Sequence, residues 1–238
     1  GISCDNEYGG VTGIDLRDNN LAGHFPVYTR THSLEGDPEY DPDAANPLYY
    51  VYDGENNWQY TKYGLANLYD LKTLNLADNK LTGTIEYLPL YNLASLTHFD
   101  VSGNQLSGGG GMEALVSPSL THADFNNNHF ASMHHFKKYK GSFQSLRFCD
   151  VSKNAIQINA TDIFGNIPPN IQQLIASNNE IHGSLPEWLN NLPALRQFDI
   201  SSNALSGEMP DFAVSISSLQ ELDMSNQTNG LTGSIPEN

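Results

Sequence analysis

The stretch Leu71-Lys-Thr-Leu74-Asn-Leu76-Ala-Asp-Asn79-Lys-Leu81-Thr-Gly83 sets apolar residues three, five and ten positions after its first leucine, with an Asn at eight and a Gly at twelve. The frame returns from Leu96 (Phe99, Val101, Asn104, Leu106, Gly108), Leu120 (Ala123, Phe125, Asn128, Phe130) and Leu146 (Cys149, Val151, Asn154, Ile156). It continues from Ile171 (Leu174, Ala176, Asn179, Ile181, Gly183), Leu195 (Phe198, Ile200, Asn203, Leu205, Gly207) and Leu219 (Leu222, Met224, Asn229, Leu231, Gly233). An earlier copy starts at Val11 (Ile14, Leu16, Asn19, Leu21, Gly23). From Leu71 onward the starts are 25, 24, 26, 25, 24 and 24 residues apart. A period of this length marks stacked coils, each of which buries its apolar side only against its neighbours. Alternation such as Leu74-x-Leu76 marks a short strand with one buried face, and successive strands are expected to pair in parallel about 4.8 Å apart. The recurrent Asn falls where the chain leaves the strand. There its amide can satisfy backbone groups that the turn leaves unpaired. Asn19, Asn79, Asn104, Asn128, Asn154, Asn179, Asn203 and Asn229 are therefore expected to form an internal ladder.

Several units end in a further signature: Gly23-His-Phe-Pro26, Gly83-Thr-Ile85, Gly183-Ser-Leu-Pro186, Gly207-Glu-Met-Pro210 and Gly233-Ser-Ile-Pro236. With these tails the sequence resembles the plant-type leucine-rich-repeat family, whose units read LxxLxLxxNxLxGxIP. Gly1-Ile-Ser-Cys4 followed by Val11-Thr-Gly-Ile-Asp-Leu16 resembles the end of that family's N-terminal cap, in which the cap cysteine pairs with one a few residues upstream. The resemblance covers nearly the whole chain outside about residues 27–65. It implies an α/β leucine-rich-repeat solenoid, a curved right-handed coil of about eight to nine repeats with a parallel sheet on its concave face. It also implies an extracellular recognition or matrix module.

The bulk composition agrees with an elongated array. Hydrophobic residues make up 39% of the 238, below the globular average of about 45–50%. Lys+Arg number 11 and Asp+Glu 27, for a formal net charge of -16. Such a surface repels nucleic acid and anionic lipid, and suits cationic or neutral polar partners. Two cysteines, Cys4 and Cys149, exclude a disulfide-built scaffold and a four-cysteine zinc site. No apolar run is long enough to span a membrane. The sequons Asn159-Ala-Thr161 and Asn226-Gln-Thr228 favour the secretory route. Both ends read as cut from a longer parent.

Three regions are expected: residues 1–26 as the end of a cap and the first repeat, 27–57 as an acidic, tyrosine-rich insertion, and 58–238 as the solenoid, truncated at its C-terminus. Trp58 to Leu71 is expected to rejoin the coil as a helical or irregular segment. Within the insertion, Tyr40, Tyr49, Tyr50 and Tyr52, with Trp58 beyond it, are contact candidates against the solenoid or a partner. Asp37, Glu39, Asp41 and Asp43 are either a solvated acidic loop or hard oxygen ligands for Ca²⁺. Ser107-Gly-Gly-Gly-Gly111 is expected to bulge, and His129 to Lys140 forms a basic patch. Gln227-Thr228 reads as a two-residue expansion before Asn229.

Residues between the strand leucines face out onto the sheet. One column reads Asp15, Asn75, Asp100, Asp124, Asp150, Ile175, Asp199, Asp223. It belongs either to the repeat type itself or to an acidic stripe that attracts a basic peptide or cations. Beside it, His98 and His122 should be neighbours, and with His129 nearby they form a conceivable metal site, although the spacing matches no zinc motif. Arg147, Phe148, Arg196 and Gln197 add mixed chemistry to the same face. That mixture favours recognition of protein or glycan, or of neighbouring subunits in an extracellular assembly. No phosphate loop, nucleophile elbow or HExxH motif is present. Carboxylates recur with the repeat, so none stands out as a catalytic pair, and no enzyme activity or cofactor is expected. The alternatives to a receptor-like binding module are a structural component of a glycosylated surface layer, wall or filament, and an inhibitor of a secreted enzyme.

Overall fold

The computed structural model describes residues 1–4, 10–24, 50–52, 58–60, 68–85, 93–108, 117–132, 144–163, 167–186, 192–209 and 216–234. Its backbone is one nine-stranded sheet made of one short strand per coil. Ile2–Cys4 pairs antiparallel with Val11–Asp15. Thereafter Thr73–Asn75, His98–Asp100, His122–Asp124, Phe148–Asp150, Gln173–Ile175, Gln197–Asp199 and Glu221–Asp223 add in parallel, in sequence order. Eight steps of about 4.8 Å make this sheet roughly 38 Å long.

The register puts the same repeat position of every coil in one row. Ile14, Leu74, Phe99, Ala123, Cys149, Leu174, Phe198 and Leu222 are cross-strand partners in turn. They form the continuous interior row that the leucine spacing requires. Leu71, Leu96, Leu120, Leu146, Ile171 and Leu195 run beside it, each 1% exposed or less. Leu106, Phe130, Ile156, Ile181 and Leu205 close the far side of the core. Phe125 packs edge-on against Phe99 and Phe130 at 5.8 and 6.0 Å.

The chain leaves each strand by a repeated turn. The residue before the ladder position is left-handed in coil after coil: Asp18, Asp78, Gly103, Asn127, Lys153, Asn178, Ser202 and Asn226, with φ between 51° and 64°. That twist aims the next side chain inward. The Nδ2 of Asn104 donates to Val101 O and Ser102 O of its own coil and to Leu76 O of the coil before, while its Oδ1 accepts from Leu81 N. Asn79, Asn128, Asn154, Asn179 and Asn203 repeat this pattern.

Both ends of the expected ladder need correction. Gln227, and not Asn229, holds the last rung. Its Nε2 donates to Ile200 O, Met224 O and Ser225 O, and its Oε1 accepts from Leu205 N. Gln227 lies three residues after Met224, as Asn79 lies three after Leu76, so the two extra residues follow the rung instead of preceding it. Asn229 donates to Ala204 O from the turn beyond. Asn19 ends the ladder at the other side, donating to Arg17 O two residues back in its own coil.

Past the ladder, Ala22–His24, Lys80–Thr84, Gln105–Gly108 and His129–Phe130 build a second, four-stranded sheet. Ser107 and Gly108 are thus ordered strand residues, not the start of the expected bulge. Later coils continue with pairs of two-residue strands, His182–Gly183 with Ala204–Leu205 and Gly207–Glu208 with Leu231–Thr232. Ala160–Ile163 is a one-turn helix. Tyr50–Tyr52 and Trp58–Tyr60 form an antiparallel hairpin, which straddles the insertion boundary expected at residue 57. Tyr40, Tyr49, the acidic run Asp37, Glu39, Asp41 and Asp43, and most of the basic patch lie outside the described residues.

Candidate functional site: the solvent face of the long sheet

Each three-residue strand turns its middle side chain into the core and its first and third outward. The first positions make a column of Thr73, His98, His122, Phe148, Gln173, Gln197 and Glu221. The third positions make the acidic column. His98 and His122 are direct cross-strand partners with ring centroids 5.5 Å apart, and His122 stacks on Phe148 at 4.1 Å with the planes 5° from parallel. The Thr97 Oγ1 lies 2.9 Å from His98 Nδ1. One strand further on, Gln173 Nε2 donates to Gln197 Oε1 at 3.1 Å. Three π-faces and two amides therefore run unbroken across five strands. Thr73, Gln173 and Glu221 escaped the sequence reading, although the register rule that found His98 and His122 applies to them equally.

The acidic column has a structural job in every coil except that of Ile175. Asp100, Asp124, Asp150, Asp199 and Asp223 each accept, through Oδ1, the backbone N–H two residues on. Asn75 does the same for Ala77 N, and Asp15 for Arg17 N. The short carboxylate bonds the first free N–H where the strand ends, a recurrent use of Asp in turns. The second oxygen is left to face outward or to meet a neighbour. Asn75 Nδ2 reaches Asp100 Oδ2 at 3.1 Å, and Asn126 Nδ2 reaches Asp150 Oδ2 at 3.2 Å.

Three of these carboxylates, Asp100, Asp124 and Asp150, stand in direct register on adjacent strands. Asp124 is in the middle. Burial, reinforced by the charges of Asp150, Asp100 and Asp78, pushes its pKa up to about 7, against the opposing hydrogen bond from Asn126 N. Burial and the neighbouring His98 hold His122 below the ordinary imidazole value, while Asp100 and Asp150 oppose that shift. At the ends of the column the acids are held low instead: Asp15 by its hydrogen bonds from Arg17, Asp223 by those from Ser225. Exposed Arg147 and Arg196 precede the strands and border the face. Their carbonyls each accept two N–H groups from the next coil.

His129 does not join His98 and His122, because it lies in the second sheet, beyond the ladder turn. Among the described residues no three His, Cys, Asp or Glu side chains are grouped to hold a metal ion. Cys149, in the core row, is buried, and burial raises its thiol pKa. Cys4 is exposed on the antiparallel strand. Among the described residues no helix is long and apolar enough to cross a membrane.

Leucine-rich-repeat models match residues 70–89, 92–114 and 170–192. Together with the stacked register and the ladder, these matches give the chain the fold of a leucine-rich-repeat solenoid. Receptor-like protein 41 of Arabidopsis thaliana is 30% identical over 138 residues, which is 52% of this chain and 14% of that protein. Receptor-like protein 39 of the same plant is 32% identical over 129 residues, covering 51% of this chain and 14% of that protein. The chain thus spans about 14% of the length of these curated relatives. Among solved structures it is similar to the ectodomain of the Arabidopsis thaliana receptor kinase GASSHO1/SCHENGEN3, solved in complex with CASPARIAN STRIP INTEGRITY FACTOR 2. That likeness has a TM-score of 0.63 and 30% identity, over 72% of this chain and 20% of the other.

Proposed function

We propose that the chain is an extracellular recognition module of receptor-like character, which holds an extended cationic peptide segment against the solvent face of the long sheet. The observation that carries this reading is the 30% identical receptor-kinase ectodomain, which was solved in complex with CASPARIAN STRIP INTEGRITY FACTOR 2. The ectodomain of a second receptor kinase of similar fold, HAESA, was solved with a peptide hormone ligand. The local chemistry supports the same reading. An extended segment presents alternate side chains, so it can set apolar or aromatic groups against the His98–His122–Phe148 stack and cations against Asp100 and Asp124. A face that carries its acids in a row across adjacent strands, on a protein with net charge -16, draws cationic segments in and turns anionic ones away.

The test is titration of the chain with synthetic extended peptides of opposite charge, for wild type and for the variant His122→Ala with Phe148→Ala. Saturable binding of cationic peptides that weakens about tenfold or more in the variant, at unchanged melting temperature, supports the reading. Binding that ignores both peptide charge and the two substitutions, or no saturable binding, refutes it.

A further inference from the structure

Of the two sequons, we infer that Asn226 carries an N-linked glycan in the folded chain and that Asn159 stays bare. This inference rests on the extracellular reading only in that the chain must pass through a glycosylating compartment. The reaction forms one bond, from the Asn Nδ2 to the anomeric carbon of a lipid-linked oligosaccharide diphosphate. The bond from that carbon to the diphosphate oxygen breaks, Nδ2 gives up one proton, and the lipid diphosphate leaves. What differs between the two sites is the room each Nδ2 has for the product.

Asn159 is built into the seam between coils. Its Oδ1 accepts from both Thr161 N at 3.0 Å and Thr161 Oγ1 at 2.8 Å, which fixes the plane of the carboxamide at the start of the Ala160–Ile163 helix. Its backbone bridges in parallel to His182 of the next coil. Its Nδ2 then points at Gly183, so closely that a single methyl placed on that glycine would lie 2.7 Å away. A sugar ring on the same nitrogen is several times larger than that methyl. It would have to enter the contact that seats one coil on the next, so a glycosylated Asn159 opposes closure of the stack.

Asn226 has the opposite surroundings. It is exposed and stands in the left-handed turn after the Glu221–Asp223 strand, with φ of 57°. Its Nδ2 donates to Ser202 Oγ at 3.0 Å in an exposed bond. A glycosylated Asn keeps one Nδ2 proton, so the nitrogen remains a donor after the modification. Thr228, which completes the sequon, is exposed as well. The site lies at the flank of the long sheet, three strands from Phe148, or roughly 14 Å away at 4.8 Å per step. A glycan there leaves the His98–His122–Phe148 stack open.

The experiment is secretion of the 238-residue chain from eukaryotic cells behind an added signal sequence, followed by peptide mapping of the folded, secreted product. Enzymatic glycan release in heavy-oxygen water marks each formerly occupied Asn as labelled Asp. The added signal makes the result independent of where the native chain resides, so failure here is distinct from failure of the extracellular reading. Expected are label at Asn226, none at Asn159, and loss of the single mobility shift in Thr228→Ala, which removes the sequon without touching Asn226. Label at Asn159 in folded protein, or a bare Asn226 in secreted protein, overturns the inference.

Discussion

Asp124 shows how the stack acts on a single residue. The repeat supplies an Asp for one hydrogen bond at the end of each strand, and stacking sets that Asp between two others. With its pKa raised from 3.8 to about 7, the native state binds a proton that the unfolded chain releases. The sign follows from linkage: between about pH 4 and pH 7 the folded state holds more protons, so stability falls as pH rises through this window. Asp124→Asn keeps an oxygen for Asn126 N and removes the charge. It should raise stability at pH 8 by about 1–2 kcal/mol, leave it nearly unchanged at pH 4, and flatten the slope between, as measured by urea unfolding at each pH. Lys153 makes a second case at this scale. It occupies the left-handed turn position at φ 53°, where other coils use Asp, Asn, Gly or Ser. Left-handed backbone costs a side chain with a Cβ about 1 kcal/mol, so Lys153→Gly should stabilise the chain by up to about 1 kcal/mol in the same assay, less the added freedom of glycine when unfolded.

At the scale of the element, the ladder turn depends on one side chain per coil. Asn128 donates to Val101 O, Phe125 O and Asn126 O and accepts from Leu106 N, all at a buried position. Asn128→Ala leaves these groups without partners and without water. At 1–3 kcal/mol for each unsatisfied buried group, partly offset by relaxation, the loss should be about 2–4 kcal/mol, read from the denaturation midpoint. Gln227 shows that the rung requires a carboxamide at the right reach more than it requires asparagine. Gly183 shows the converse, a position that admits nothing larger. Its φ of 84° disfavours a Cβ, and the Asn159 carboxamide fills the space where one would be. Gly183→Ala should therefore destabilise the seam between these coils by more than 1 kcal/mol, with loss of amide-exchange protection at His182 and Ala204.

At the scale of the molecule, stability is a sum over neighbouring coils. Phe99 is fully buried between Leu74 and Ala123 in the interior row, and Phe125 packs against it. Phe99→Ala should cost about 3–5 kcal/mol. In a one-dimensional stack this loss splits unfolding into two transitions, seen by calorimetry as two peaks, because coils on either side of a weakened interface uncouple. The same arrangement explains why the candidate site is a surface. Each described strand turns its middle residue to the interior rows and offers two outward positions, so chemistry accumulates as columns along the sheet.

The repeat alone determined the solenoid, its interior rows and the neighbour relation of His98 with His122, because period and alternation translate directly into register. It placed six of the eight expected rungs, since a rung needs only an Asn at the right offset from the strand. It misplaced the last because nothing local says that Gln227 reaches where Asn229 was expected to. Only the stacked structure decided the state of Asp124, the π-stack through Phe148 and the difference between Asn159 and Asn226. Each of these depends on distances between coils about 24 residues apart in the chain. Such distances exist only once the coils are packed.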